Sequence, residues 1–540
     1  MLPGLMMDYP LTLTHFLERG RRFFPKQEIV SRMPDGSLHR YTYRDFHART
    51  CQLARALVRL GVKPGDRVAT LGWNHYRHLE AYFAAPCLGA VLHTLNLRLH
   101  PSELSYIASH AGDKIIIVDR SLLPLLEGFR KDVKSLEHVI VVPDDGPVPE
   151  GYLGYETLLA AEEPAFAFPA LDERAGALMC YTSGTTGLPK GVLYSHRSTS
   201  LHTMMLCMVD TKGISEDDTV LPVVPMFHAN AWGMVHAAIG VGAKLVFPGP
   251  DLSPGSILDL MAREKVTFSA AVPTVWLGAL ALLDDHPKKW DLSAVRLIFV
   301  GGAAAPAAMI QGYDERHGIT IRHTWGMSET NPLATISRVK SGLRTGDARE
   351  LALRAKQGYA VPFVEQRHVN DAGEELPWDG VQMGELEVRG PWVASAYFAS
   401  EEGKDKFTAD GWFKTGDVVT IDEEGYVQIT DRSKDVIKSG GEWISTQALE
   451  NALMSHPSVL EAAVFAGQHD KWGERPLAAV VLKPGKLATK EELAAHIVDR
   501  FAKWWMPDDY LFLDAIPKTS TGKFKKLDLR ASFGDHLLKR

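Results

Sequence analysis

The sequence predicts an α/β protein. A large N-terminal domain of parallel-rich sheets with helices, plus a β-rich subdomain, precedes a small α+β C-terminal domain. Three observations carry this. Helix-period segments alternate with short apolar runs through the first part of the chain, a pattern that favours parallel sheets covered by helices on both faces. From about Gly384 the texture changes to short β-like runs separated by acidic turns. After Asp431 a compact tail of mixed elements begins.

In chain order, Arg44 to Leu60 places Phe46, Leu53, Leu57 and Leu60 on one helical face, and the breaker Gly61-Val62-Lys63-Pro64-Gly65 stops it before the apolar run Val68 to Leu71. A helix thus feeds a strand. Ile115 to Val118 and Val139 to Val142 read as buried strands, Ser256 to Glu264 as a helix, and Arg296 to Val300 as a strand entering Gly301-Gly302. Gly384 to Arg389 and Gly425 to Thr430 are the β-like runs of the subdomain. The tail reads as a helix from Thr446 to Ser455, strands Val459 to Ala466 and Leu477 to Leu482, and a helix from Lys490 to Phe501. Its roughly 110 residues suffice for an independent domain, so the predicted division is 1–431 and 432–540.

The chain has 540 residues, 45% hydrophobic and 23% charged, the composition of an ordinary globular protein rather than a disordered or fibrous one. A net charge of -7 gives no general attraction to polyanions, so nucleic acid and anionic membrane are not expected as main partners. Cys51, Cys87, Cys180 and Cys207 form no C-x-x-C pair, which predicts neither a disulfide framework nor a structural zinc site and fits a reducing cytoplasm. The N-terminus has no basic region followed by an apolar run, so no secretory signal is expected. Val266 to Leu283 is uncharged but carries Thr267, Ser269, Pro273 and Thr274, and reads as strand, turn and buried helix rather than a membrane span.

The strongest local signal is Tyr181-Thr182-Ser183-Gly184-Thr185-Thr186-Gly187-Leu188-Pro189-Lys190-Gly191, directly after the apolar run Gly176 to Cys180. Glycines allow close backbone approach, hydroxyls and amides can surround phosphate oxygens, and the lysine supplies positive charge. The segment reads as a phosphate-cradling loop. It is not a Walker A loop, because Lys190 follows Pro189 and precedes Gly191 instead of standing between glycine and Ser/Thr.

This loop resembles the signature of the adenylate-forming superfamily of acyl-CoA synthetases, peptide-synthetase adenylation domains and beetle luciferase. Six further segments match that family in order: Pro225-Met-Phe-His228-Ala-Asn-Ala-Trp232, Gly301-Gly302-Ala-Ala-Ala-Pro306, Thr324-Trp325-Gly326-Met327-Ser328-Glu329-Thr330, Lys414-Thr415-Gly416-Asp417, Asp431-Arg432-Ser433-Lys434-Asp435 and Lys518-Thr519-Ser520-Thr521-Gly522-Lys523. Together they span nearly the whole chain.

The resemblance implies roles that the residue types can serve. Thr182, Ser183, Gly184, Thr185, Thr186, Gly187 and Lys190 would cradle ATP phosphates. Gly302, Ala303, His323, Thr324, Trp325, Gly326, Met327 and Ser328 would surround the adenine, with Trp325 stacking where the family commonly has tyrosine. Trp325 reads equally as a core aromatic. Asp417 would accept the ribose hydroxyls, and Arg432 would donate to ribose or phosphate. Glu329 with Thr182 offers hard oxygens for Mg2+. His228, Trp232, Gly302 and Met327 would border the acyl substrate, although a lone His or Trp is by itself an ordinary structural residue. Lys434 falls at the family's hinge, which makes the C-terminal domain mobile, and Lys438, Gly440, Gly441 and Trp443 would meet CoA. Lys523, otherwise one cation of a solvated basic patch, matches the catalytic lysine that stabilises charge at the α-phosphate.

The implied activity is an AMP-forming carboxylic acid:CoA ligase using ATP, Mg2+ and CoA in two half-reactions, through an acyl-adenylate. Thr70-Leu-Gly-Trp-Asn-His75, His78-Leu-Glu-Ala-Tyr82 and Asp435 to Ser445 resemble fatty acyl-CoA synthetases, particularly the branch containing 3-(methylthio)propionyl-CoA ligase of dimethylsulfoniopropionate breakdown. A short to medium acid is therefore expected, the methylthio acid first and medium- or long-chain fatty acids as the alternative. Relatives in this branch are often homodimers. A peptide-synthetase module is disfavoured by the end of the chain at Arg540 without a carrier segment. A luciferase-like oxygenase shares the adenylation step, and a non-catalytic nucleotide-binding regulator is disfavoured by the intact Lys190, Glu329, Asp417, Arg432 and Lys523.

Overall fold

A computed structural model describes residues 2–182, 188–432, 435–439, 442–518 and 524–539. Two large sheets organise the first part of the chain. One has seven strands, in the order 153–154, 138–142, 113–119, 67–71, 91–94, 176–181 and 191–195. All its pairs are parallel except the last, where Gly176–Tyr181 runs antiparallel to Gly191–Ser195. The other has nine strands, with a parallel centre (321–326, 297–300, 268–271, 219–222, 244–247, 28–32) and antiparallel edges at 333–336, 359–360 and 38–42.

Local chemistry explains the helices that connect them. The expected first helix runs Tyr43–Arg59 and is opened by a capping box, in which Thr42 accepts the Asp45 N–H and Asp45 returns a bond to the Thr42 N–H. Pro254 and Pro273 each stand at the start of a helix, Pro254–Glu264 and Pro273–Asp285, where the missing N–H leaves no partner unsatisfied. The uncharged stretch from Val266 resolves into the strand Phe268–Ala271 and the second of these helices. Among the described residues no helix is long and apolar enough to cross a membrane. Helix Tyr76–Cys87 is buried along its whole length because it lies between the sheets. Leu92 and Ile115 of one sheet and Leu245 and Phe268 of the other belong to the same core cluster, which extends to Leu386 and Val419 of a four-stranded antiparallel sheet.

That smaller sheet, ordered 365–369, 384–389, 413–421 and 427–432, begins earlier than the sequence texture indicates. Its first strand, Glu365–Val369, is an edge strand of mixed exposure, and Glu365-Gln-Arg-His lacks the apolar run of a buried strand. The tail forms a separate sheet, ordered 442–444, 437–439, 473–482 and 459–469, with 509–512 paired parallel to 473–482. Its strands extend beyond their apolar centres to Val459–His469 and Gly473–Leu482, since a long hairpin continues pairing into solvent. Helices Thr446–Met454 and Lys490–Ile497 pack on it, the second ending before Phe501 in a short 3-10 turn.

The two parts meet where the strand Val427–Arg432 ends. Asp431 Oδ2 accepts the Thr446 N–H at 3.0 Å and Ser445 Oγ donates to the Thr430 carbonyl at 2.6 Å, so the last strand of one part caps the first helix of the next. Behind this cap, Lys526 reaches Glu450 at 2.7 Å and Asp431 at 3.9 Å. Burial opposes the Lys526 ammonium, but Glu450 and Asp431 outweigh it and hold its pKa above the ordinary lysine value.

Candidate active site

The phosphate-cradling segment joins the antiparallel strands Gly176–Tyr181 and Gly191–Ser195. It is therefore a hairpin connection, not the strand-to-helix turn of a P-loop, and the next helix starts only at His196. Thr182 and Lys190 close its neck: the Thr182 N–H donates to the Lys190 carbonyl at 2.9 Å, and the Lys190 N–H donates to Thr182 Oγ1 at 3.1 Å. Ser183, Gly184, Thr185, Thr186 and Gly187 lie outside the described residues, as do Lys434, Gly440, Gly441 and Lys523.

Residues 392–398 fasten this neck to the turn that carries Glu329. The Phe398 N–H donates to the Gly191 carbonyl at 2.8 Å and the Ala394 N–H to the Glu329 carbonyl at 2.7 Å. Between those bonds Tyr397 donates its phenol to Glu329 Oε1 at 2.7 Å, and its ring lies 5.9 Å from the Lys190 ammonium. Burial, then the Glu329 carboxylate, raises the Tyr397 pKa and keeps the phenol a donor. Sequence reading missed Tyr397, since no motif surrounds it and only the fold brings it beside Glu329. The carboxylate of Glu329 and the hydroxyl of Thr182 are hard oxygen donors of the kind Mg2+ takes, few in number and leaving room for phosphate oxygens; the residues present fit that ion.

The residues predicted to surround the adenine stand at the end of the nine-stranded sheet. Strand Leu297–Val300 delivers Gly301 and Gly302, and strand Ile321–Gly326 delivers His323, Thr324 and Trp325 beside them. Thr324 Oγ1 donates to the Val300 carbonyl at 3.2 Å. The ring nitrogens of His323 stand 3.1 Å from the Ala355 carbonyl and 3.2 Å from the Ala303 carbonyl. Burial lowers the His323 pKa, and the ring spans the space between the Ala355 and Ala303 carbonyls. Gly326 must be glycine, because a Cβ there would lie 1.9 Å from the Pro332 carbonyl oxygen. That close passage turns the chain into Met327, Ser328 and Glu329.

Asp417 gathers three segments. Its side chain is 2% exposed; Oδ2 accepts the Trp325 indole N–H at 2.8 Å and Oδ1 meets Arg432 Nε at 2.7 Å. Asp417 and Arg432 are also register partners on adjacent strands. Each carboxylate oxygen can accept a second bond, so acceptor capacity remains. Trp325 is 7% exposed and part of the main core cluster, so it serves both as a core aromatic and as a donor into the site.

The segment predicted to border the acyl substrate has an unusual backbone. Ala229, Asn230, Ala231, Trp232 and Gly233 all have positive φ, between 42° and 73°, a left-handed turn that disfavours side-chain-bearing residues by about 1–2 kcal/mol each. Among the described residues neither polar atom of the buried Asn230 amide has a partner. Such strain persists only where packing over-determines it. The turn lays the Trp232 indole against the two glycines: a Cβ on Gly301 would lie 3.3 Å from the ring, and one on Gly302 3.9 Å from it and 3.3 Å from Val272. His228 enters this turn, half-buried. The backbones of Lys438 and Trp443 are register partners across a short hairpin of the tail. A separate open cavity of about 700 Å3, bordered by Tyr359, Arg367, Arg389 and Trp412, contains none of the predicted site residues.

Asp417 thus holds Trp325 and Arg432, Tyr397 joins Glu329 to the neighbourhood of Lys190, and Trp232 lies against Gly301 and Gly302. Residues 17–398 match the family described as AMP-binding enzyme and residues 448–523 the AMP-binding enzyme C-terminal domain. The chain belongs to the AMP-binding enzyme family. It is 49% identical over 537 residues to a long-chain-fatty-acid--CoA ligase of Thermus thermophilus (99% of this chain, 98% of the relative). It is 42% identical over 544 residues to a 3-methylmercaptopropionyl-CoA ligase of Ruegeria lacuscaerulensis (99% of each). The crystal structure of the anthranilate CoA ligase AuaEII with anthranoyl-AMP superimposes with a TM-score of 0.87 at 27% identity, covering 99% of each chain.

Proposed function

We propose that this AMP-forming acyl-CoA ligase activates a fatty acid, with the site residues acting as follows. The acid's carboxylate oxygen attacks the α-phosphorus of ATP, pyrophosphate leaves, and an acyl-adenylate forms. Asp417 accepts ribose hydroxyls, Arg432 donates alongside it, and Trp325 borders the adenine while holding Asp417 in place. Thr182 and Lys190, with the intervening loop, bind the phosphates. Glu329 and Thr182 hold Mg2+, which when bound offsets phosphate charge. Lys523 neutralises charge accumulating at the α-phosphate. The CoA thiol then attacks the acyl carbon and AMP leaves, after residues 432–540 turn about Lys434 to withdraw Lys523 and present Gly440-Gly441 with Lys438 and Trp443. Cytoplasmic location and a homodimer complete the proposal, the latter tested by light scattering.

The observation that carries it is the convergence on buried Asp417 of Trp325 and Arg432, from motifs far apart in sequence. For the substrate, the higher identity to a long-chain ligase (49% against 42%) favours a longer fatty acid over the methylthio acid. The methylthio reading stands second on the 42% relative. The test is AMP and acyl-CoA formation from ATP, Mg2+ and CoA with 3-(methylthio)propionate, butyrate, octanoate and palmitate in parallel. A higher kcat/KM for octanoate or palmitate supports the proposal. Preference for the methylthio acid overturns the chain length, and absence of acid-dependent AMP overturns the ligase reading.

A further inference from the structure

Lys212 is 1% exposed, in the link between helix His196–Cys207 and strand Thr219–Pro222. Its ammonium donates to the Trp232 carbonyl at 3.3 Å and stands 5.8 Å from the Trp232 ring and 5.5 Å from the Phe299 ring. Phe299 belongs to the strand that runs into Gly301 and Gly302. The link is clamped from behind, where Arg296 donates to the Gly213 carbonyl at 2.8 Å and Arg322 to the Thr211 carbonyl at 3.1 Å. No carboxylate shares an ion pair with Lys212 among the described residues, and burial brings its pKa down to about 7.

A buried, unpaired amine is a poor stabiliser; an apolar side chain of similar length would fill the same space without desolvating a charge. What methionine could not do is donate to a carbonyl of the left-handed turn. We infer that Lys212 is a positioning residue for the acyl pocket: by holding the Trp232 carbonyl it fixes the turn 229–233 and so sets the indole against Gly301 and Gly302. The inference rests on the acyl-CoA ligase reading for its consequence, but not for its geometry.

The experiment compares wild type, Lys212→Met and Lys212→Arg. In the first arm, each is assayed with butyrate, octanoate and palmitate. Loosening the wall acts on acyl binding, so Lys212→Met shifts the ratio of KM for butyrate to KM for palmitate by about fivefold or more while kcat stays near wild type. Its thermal midpoint does not fall, and Lys212→Arg, which keeps a donor, restores the ratio. An unchanged ratio, or a uniform fall in kcat/KM for all acids accompanied by a lower midpoint, overturns the inference. In the second arm the proteins carry 5-fluorotryptophan, with the Trp232 resonance assigned by its loss in Trp232→Phe. That 19F resonance moves in Lys212→Met; an unmoved resonance overturns the inference whatever the activity. Wild type without acid-dependent AMP would instead defeat the ligase reading, and the fluorine arm still decides on Lys212.

Discussion

At Asp417 a single carboxylate joins three distant motifs, and its partners define what replacing it does. With Trp325 on one oxygen and Arg432 on the other, Asp417→Asn preserves shape but removes the charge that both donors address. Hydrogen bonds to charged groups contribute about 1.5–3 kcal/mol, so kcat/KM for ATP should fall by roughly one to two decades with the thermal midpoint nearly unchanged. Steady-state kinetics at varied ATP check this; an ATP KM equal to wild type would remove Asp417 from the nucleotide site. The sequence identified Asp417, Arg432 and Trp325 through their motifs. It gave no signal for Tyr397 or Lys212, because a lone tyrosine or lysine acquires its meaning from neighbours more than sixty residues away or from another element's carbonyl.

Among the elements, the junction between the strand Val427–Arg432 and the helix Thr446–Met454 rests on the buried group Lys526, Glu450 and Asp431, with side chains 10%, 9% and 3% exposed. Glu450 also accepts the Val464 N–H at 2.8 Å, tying the group to the tail's long hairpin. Lys526→Met leaves two buried carboxylates without their cation, a loss of about 3–5 kcal/mol. The urea midpoint of the tail's unfolding should drop accordingly, and adding Glu450→Gln should recover part of it. A midpoint equal to wild type would show that the cation is dispensable there. The central strands and helices were legible because their apolar periods are strong. The edge strand Glu365–Val369 and the polar ends of the strands Val459–His469 and Gly473–Leu482 were not, since edges and hairpin tips face solvent and carry no apolar alternation.

For the molecule as a whole, the proposed mechanism runs two half-reactions in one site, with the tail changing its orientation between them. The proposed division of labour separates them: Lys523→Ala should abolish acyl-adenylate formation yet largely spare CoA thioester formation from supplied acyl-AMP. Both halves are measured directly, by pyrophosphate release and by acyl-CoA yield. Equal loss of the two would sink the division. The reactions differ in where charge accumulates, at the α-phosphorus in the first and at the acyl carbon in the second, which is why one lysine can matter to one and not the other.

The order of motifs from Thr182 to Lys523, the α/β alternation and the change of texture near the tail are local patterns, each readable within a short window, and they determined the family and the identity of most candidate residues. Which of those residues meet was decided by tertiary structure. The Trp325–Asp417–Arg432 contact depends on two sheets sharing one core. The Glu329–Tyr397–Lys190 neighbourhood depends on residues 392–398 bonding to two separate turns. The left-handed turn at 229–233 opposes the intrinsic preference of its own residues, so nothing in Ala229-Asn-Ala-Trp232 announces it. It exists because surrounding packing outweighs the local strain, and energies of that kind belong to the assembled fold rather than to any stretch of sequence.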